Sequence, residues 1–297
     1  MSESTIPIYG PKRSPWIVAG LLAVAAVISW SARSPYLRNF SHDDLRYYTG
    51  WAYRMCTFGP GTVYGKHLKL KHGDEDVCLM RGDNPVGQLS IFYLVGGWLY
   101  PAATGQPLSL DKVIEMNREP DSEEKQLGRF LFKLPAVLAD LATMLILGVW
   151  VYRRWGTVHA AVVALLYALH PALIHNSAMW GQIDVWHSLF LMIGTMLLAS
   201  QWIIAGVATL GIALLFKFQA VALVPLAVTC LAYAPECTAW RKPNWDRIGL
   251  TAILLTGILA VAWTPWVISG AGLHIIDPYD RAVGQYSYAT LNTFNLW

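Results

Sequence analysis

The string Trp180-Gly181-Gln182-Ile183-Asp184 sets an indole N–H, a side-chain amide and a carboxylate between two apolar runs. Far upstream, Ser41-His42-Asp43-Asp44-Leu45-Arg46 places two adjacent carboxylates beside an imidazole and a guanidinium, just past the first apolar run. A carboxylate at the edge of a bilayer is costly and marks function by default. Adjacent acids could take the proton of an acceptor hydroxyl, which requires a base within hydrogen-bond reach. They could equally hold a divalent cation. The same residues also suit helix starts. Ser41 or Asp43 could cap a helix running through Trp51, and Asp184 could sit in the first turn of a helix over 185–202, where negative charge is favoured. Capping and chemistry are compatible.

Other residues offer weaker chemistry. Asp83-Asn84-Pro85 precedes an apolar run and reads either as a capped helix start with Pro in its first turn or as the entry wall for a lipid carrier. Lys217 interrupts a long apolar stretch; it could bind phosphate as a point charge or snorkel to water. Cys56 and Cys78 could pair if their compartment is oxidising. His67 and His72 lie between them, so zinc is conceivable, although the spacing matches no standard finger. His170, His175 and His187 flank the Trp-Gly-Gln-Ile-Asp string, and the last two could reach a pocket beside it.

These residues must be positioned by membrane helices. The chain is 55% hydrophobic and 14% charged, whereas a soluble domain carries about 25% charge. Apolar runs fall at 15–32, 87–103, 131–152, 157–175, 185–202, 203–216, 218–234 and 248–268. The fold class expected is all-α and polytopic, with about seven transmembrane helices. Lys12-Arg13, Arg153-Arg154 and Arg241-Lys242 with Arg247 should be cytoplasmic by the short-loop basic bias. That holds only if 87–103, which contains Gly87, Gln88, Gly96 and Gly97, is a juxtamembrane or re-entrant helix within a long first external loop at about 33–130. Residues 1–14 then form a cytoplasmic tail, 15–268 a transmembrane module and 269–297 an external loop. Asp43, Asp44, Trp180–Asp184 and Lys217 all fall on the external side. Lys12-Arg13 before an apolar run reads as a retained signal anchor, without a convincing cleavage site. The ending at Asn295-Leu296-Trp297 suggests a piece of a longer enzyme. A net charge of +3 does not imply nucleic acid as a partner.

Lys133-Leu-Pro-Ala-Val-Leu-Ala-Asp140, Tyr152-Arg153-Arg154, His170-Pro-Ala-Leu-Ile-His-Asn-Ser177, Trp180–Asp184 and Leu215-Phe-Lys-Phe-Gln-Ala220 together resemble GT-C fold glycosyltransferases. The resemblance is greatest to bacterial mannosyltransferases related to the second mannosyltransferase of GPI-anchor synthesis, over residues from about 35 to 297. It implies transfer of a hexose from a polyprenyl-phosphate sugar donor to a lipid, glycan or protein acceptor, at the external face of a bacterial inner membrane, or in the ER membrane of a eukaryote. It implies Asp43 as catalytic carboxylate, with Asp44 and Asp184 as further acids. Arg46, Asp83, Asn84, Trp180, Gln182 and Lys217 become candidate substrate contacts, Lys217 toward phosphate. No cofactor is certain; a divalent cation is possible. Where the family reads Tyr-Pro-Pro or Lys-Pro, this chain reads Asp83-Asn84-Pro85, a departure at the position of the family's donor-phosphate ligand. A lipid-linked sugar transporter and a non-catalytic assembly subunit are the alternatives. The transporter would show inverted repeats and mid-span ionisable groups, and the acids singled out above lie at helix ends.

The basic-loop bias makes a testable statement about sidedness. A single cysteine at position 184 should react with an impermeant maleimide applied from outside, and one at position 153 only after permeabilisation. Reaction of position 184 from the cytoplasmic side alone overturns the seven-span arrangement.

Overall fold

A computed structural model describes residues 15–39, 44–117, 122–232 and 244–282. In chain order the elements are α1 (Pro15–Asn39), α2 (Asp44–Phe58), a hairpin of β1 (Leu68–His72) and β2 (Glu75–Leu79), α3 (Val86–Leu94), α4 (Tyr100–Thr104), α5 (Leu110–Asn117) and α6 (Glu123–Trp155). There follow α7 (Thr157–Leu169), α8 (Pro171–Ile174), α9 (Asp184–Ala199), α10 (Ile203–Phe216), α11 (Val224–Ala232), α12 (Trp245–Trp266) and α13 (Asp277–Ala282). Wider π turns occupy Val95–Leu99, His175–Trp180 and Val267–Ala271. Helix therefore dominates, as expected, but the hairpin departs from a purely helical chain. Its turn has Gly73 at φ +60°, a first central position that glycine adopts without strain.

Among the described residues, α1, α6 and the stretch Trp245–Arg281 are long and apolar enough to cross a membrane. A fourth candidate is α7 with its continuation to Trp180, bent by 51°. The remaining apolar helices, Asp184–Ala199, Ile203–Phe216 and Phe218–Ala232, are shorter. The expected break around Lys217 is present: Lys217 is extended at φ −158°, ψ 138°, and a 3-10 segment follows over Phe218–Leu223.

The chain forms two compact units. The first, Met1–Thr49 with Val95–Ile193, is organised by α1, α6 and α7. α6 is stable at this length because both ends are satisfied. Ser122 caps it by accepting from Lys125 N at 3.1 Å, Glu123 and Glu124 occupy the first turn, and Arg153 and Arg154 the last. Gly156 at φ +86° then ends it. α1 runs antiparallel to α6. Leu22 lies against Gly148, so close that a Cβ there would stand 2.5 Å from Leu22 Cδ2. At the other end Lys133 Nζ donates to Tyr36 O. Val18, Leu22, Ala25, Met144, Ala164 and Ala168 form the buried core between the three helices. α9 joins through Val185 and Leu189 on Ala139.

The second unit, Gly50–Leu94 with Gly194–Trp297, contains the hairpin, α3 and α10–α13. Glycines permit its closest backbone approaches. A Cβ at Gly61 would lie 2.4 Å from both Trp266 O and Ala271 N, and one at Gly87 would lie 2.7 Å from Leu215 O. Tyr279 donates to Leu214 O at 3.0 Å, and Arg81 pairs with Asp277.

Cys56 and Cys78 are both free thiols, which corrects the pairing expected for an oxidising compartment. Cys56 is half-buried on α2 and reaches Tyr93 O at 3.8 Å; Cys78 is exposed on β2, in register with Lys69. No group of three or more His, Cys, Asp or Glu among the described residues could hold a metal ion. His67 instead accepts from Arg81 N at 3.2 Å. Burial pushes the Cys56 thiol up to about 11. Since the thiolate is the nucleophile, Cys78 should be alkylated within minutes at pH 8 while Cys56 reacts only as pH approaches 11. Mass mapping of alkylated peptides checks this; equal rates at pH 8, or a recovered disulfide, would contradict it.

Candidate functional site

The polar string Trp180–Asp184 is presented by a broken helix. α7 ends at Leu169 because Pro171 cannot donate to the preceding turn. The chain resumes as α8, widens into the π turn His175–Trp180, and is stopped by Gly181 at φ +79°. The left-handed conformation favours glycine there, and so does space. A Cβ on Gly181 would meet Lys133 Cγ at 2.6 Å. Lys133 thus lies along the loop with its stem on Gly181 and its ammonium on Ala178 O at 3.1 Å and Tyr36 O at 3.0 Å. α9 then starts at Asp184, as expected, with the carboxylate in its first turn.

Asp44 opens α2 and meets this string. Trp180 Nε1 donates to Asp44 Oδ2 at 2.7 Å. The Gln182 amide makes only a 3.4 Å approach to the same oxygen as drawn. With its O and N exchanged it accepts from Trp180 Nε1 at 3.2 Å and donates to Asp184 Oδ2 at 3.0 Å. We adopt the exchanged orientation because it satisfies both groups; the two assignments differ only in which atom is called nitrogen. Tyr48, one turn along α2, has its hydroxyl pKa pushed well above the ordinary value by burial, with the Asp44 and Asp184 charges adding to the effect. Asp44, Tyr48, Trp180, Gln182 and Asp184 therefore form one polar cluster.

Deeper in the same unit lies a group that sequence reasoning did not single out. Arg33 on α1 and Asp140 on α6 are both fully buried and paired at 3.0 Å. Arg33 Nε and Nη2 both donate to Asp140 Oδ2, while Nη1 donates to Ser29 Oγ and to Ala168 O, each at 2.7 Å. Ser177 donates to Asp140 Oδ2 at 2.6 Å and Tyr167 to Oδ1 at 2.9 Å. Ionisable groups do therefore lie within the spans, contrary to the reading that the acids sit at helix ends. The signal was available as one acid and one base in separate apolar segments, but it was lost where the first run was cut at residue 32.

The other sequence candidates are placed as follows. Asp43, with Ser41 and His42, lies outside the described residues. Arg46 is exposed and folds onto its neighbour, 4.8 Å from the Tyr47 ring centre and 2.8 Å from its hydroxyl. Asp83 and Asn84 belong to the second unit. Asp83 pairs with Arg281 at 3.0 Å, and Asn84 uses its carbonyl to accept from Tyr64 at 3.1 Å. Lys217 also belongs to the second unit, at the break between α10 and the 3-10 segment. His175 is exposed with its ring edge-on to Trp180 at 6.0 Å, and His187 is buried on α9. Compared with known proteins, the chain matches no family model and no curated sequence.

Trp180→Phe keeps the ring and deletes the donor to Asp44. A hydrogen bond to a charged group contributes about 1.5–3 kcal/mol, so unfolding stability should fall within that range. In an Asp44→Asn background the further loss on Trp180→Phe should shrink to below about 1 kcal/mol. Equal losses in both backgrounds would show the two groups to be uncoupled.

Proposed function

We propose that the chain is a membrane glycosyltransferase that moves a hexose, with mannose as first choice, from a polyprenyl-phosphate donor to a lipid, glycan or protein acceptor. The observation that supports it is the convergence of Asp44, Trp180, Gln182 and Asp184, acids from two distant segments, at one end of the α1–α6–α7 bundle. Arg153 and Arg154 close α6 at the opposite end. The helix from Lys133 to Arg153 rises about 30 Å, close to the thickness of a hydrocarbon core. This fits an external site with basic residues inside. Seven spans follow if Asp184–Ala199, Ile203–Phe216 and Phe218–Ala232 cross alongside the four longer candidates.

In the reaction proposed, the acceptor oxygen attacks the anomeric carbon from the face opposite the phosphate. The carbon–oxygen bond to the lipid phosphate breaks, the electron pair leaves with the phosphate, and configuration inverts. The acceptor proton passes to a carboxylate. Asp44 is committed to Trp180, at the start of a helix, which suits an acid that orients the loop. Asp43 beside it, the catalytic carboxylate that the family resemblance implies, is the base in this reading. Asp184, held by Gln182, suits positioning or acceptor contact.

Asp43→Asn should abolish transfer with little loss of donor binding, because the amide keeps its shape but takes no proton at neutral pH. The loss expected for a general base is about 10²–10⁴-fold. Asp44→Asn should cost less, and Asp184→Asn should also lower the rate. Transfer from radiolabelled polyprenyl-phosphate sugars to membrane extracts, at matched expression, reads all three. Near-wild-type rates for both Asp43→Asn and Asp44→Asn would remove the base from this segment and leave a transporter or an assembly subunit as the reading.

A further inference from the structure

The hydrogen bonds of the buried pair Arg33–Asp140 fall on both sides of the break in the α7–α8 helix. On the near side, Arg33 Nη1 donates to Ala168 O at 2.7 Å, and Tyr167 donates to Asp140 Oδ1 at 2.9 Å. On the far side, Ser177 donates to Asp140 Oδ2 at 2.6 Å. Ala168 O is one of the carbonyls left without an intrahelical donor when a helix stops. In an apolar surrounding each such group costs several kcal/mol unless met. One guanidinium meets it and, through Asp140, also fixes the π turn that ends at Trp180. From Ser177 the chain has only Ala178 and Met179 before Trp180, whose indole holds Asp44. Lys133 clamps that same short stretch at Ala178 O.

We propose that Arg33 and Asp140 are positioning residues for the candidate site. The pair sets the angle of the helix break and thereby the place of Trp180 and Gln182 relative to Asp44. Arginine suits the place because its planar fork meets Asp140 through Nε and Nη2 and Ala168 O through Nη1, donors on separate nitrogens that a single ammonium does not offer. Ser177 carries the constraint from the pair to the π turn. The link from this brace to a reaction rests on the glycosyltransferase reading, whereas the brace itself does not.

The test uses the full chain purified in lipid nanodiscs, read by amide hydrogen exchange. Arg33→Lys keeps the buried charge paired and loses the fork. Ser177→Ala leaves the Arg33–Asp140 ion pair intact and removes the hydroxyl that ties the π turn to the pair and to Leu173 O, so it serves where Arg33→Lys does not fold. Either variant should raise exchange at least tenfold over residues 174–184 and change residues 141–156 by less than twofold. No change at 174–184, or the same rise in both segments, overturns the proposal, because the pair would then be a general stabiliser. In the transfer assay Ser177→Ala should lower kcat at least threefold with donor KM unchanged. An equal rise in KM would mark the loop as a binding wall and overturn the positioning role. A wild-type chain that transfers no sugar would sink the functional reading and leave the exchange result to decide the brace.

Discussion

The first compact unit depends on one constraint: a guanidinium and a carboxylate buried together inside apolar helices. Removing either partner of such a pair costs about 3–5 kcal/mol, because the other charge is left uncompensated. Replacing both by hydrophobic residues is often neutral or stabilising. Stability alone is thus a weak reason for the pair. Geometry is the better one. Arg33 and Asp140 tie α1 to α6, and both to the end of α7 and the following π turn. The pair therefore joins all three helices and the broken segment through hydrogen bonds with fixed directions. Apolar side chains could fill that volume but could not fix the angle of the break.

The polar cluster inherits this order. Two carboxylates in one small site repel, and burial of the Tyr48 hydroxyl between their fields makes the local environment unfavourable to further negative charge. The cost is met by donors on one short loop, the Trp180 indole and the Gln182 amide, in a relay that runs from Asp44 to Asp184. Gly181 makes the relay possible. It turns left-handed where a side chain would strain, and it leaves room for the Lys133 stem that backs the loop. A π turn, a glycine reversal and a helix start thus fall within ten residues, each of them a departure from regular helix that positions a polar group.

Much of this was legible in the sequence. The helix start at Asp44 follows from the capping residues Ser41 or Asp43 ahead of it, the start at Asp184 from an acid at the head of an apolar run, and the break at Lys217 from a charge amid apolar residues. The meeting of the Asp43-Asp44 segment with Trp180–Asp184 was expected on one membrane face from basic loops alone, and for Asp44 the two segments do touch. What sequence could not give is side-chain direction. It could not tell that Asp44 turns toward the indole, since adjacent acids in an unknown backbone look alike. It missed Arg33 because a hydropathy window ends where a charge begins, although a charge can continue the helix when its partner is supplied from elsewhere. The hairpin was missed because Leu68–Leu79 is dense in charge, and its alternation is confined to two short strands joined at Gly73. The thiols were misjudged because pairing depends on distance between Cα atoms, which spacing along the chain does not fix.

A charge pair within the spans is also what a transporter would carry, so its coordination matters. A transport site must exchange partners, which requires an open valence, a neighbouring cavity or a second acceptor within reach. Asp140 accepts from Arg33, Ser177 and Tyr167, covering both oxygens, and Arg33 is held by Ser29, Ala168 and Asp140. Both side chains are shielded from solvent. Releasing Asp140 from this set would leave the Arg33 guanidinium without its counter-charge and take an acceptor from the Tyr167 and Ser177 hydroxyls in an apolar interior, each costly by itself. A site whose every partner is lost at once cannot cycle at modest cost. The pair therefore behaves as a fixed joint, whereas Asp44 and Asp184 are half-buried acids at helix starts beside the loop that follows the break.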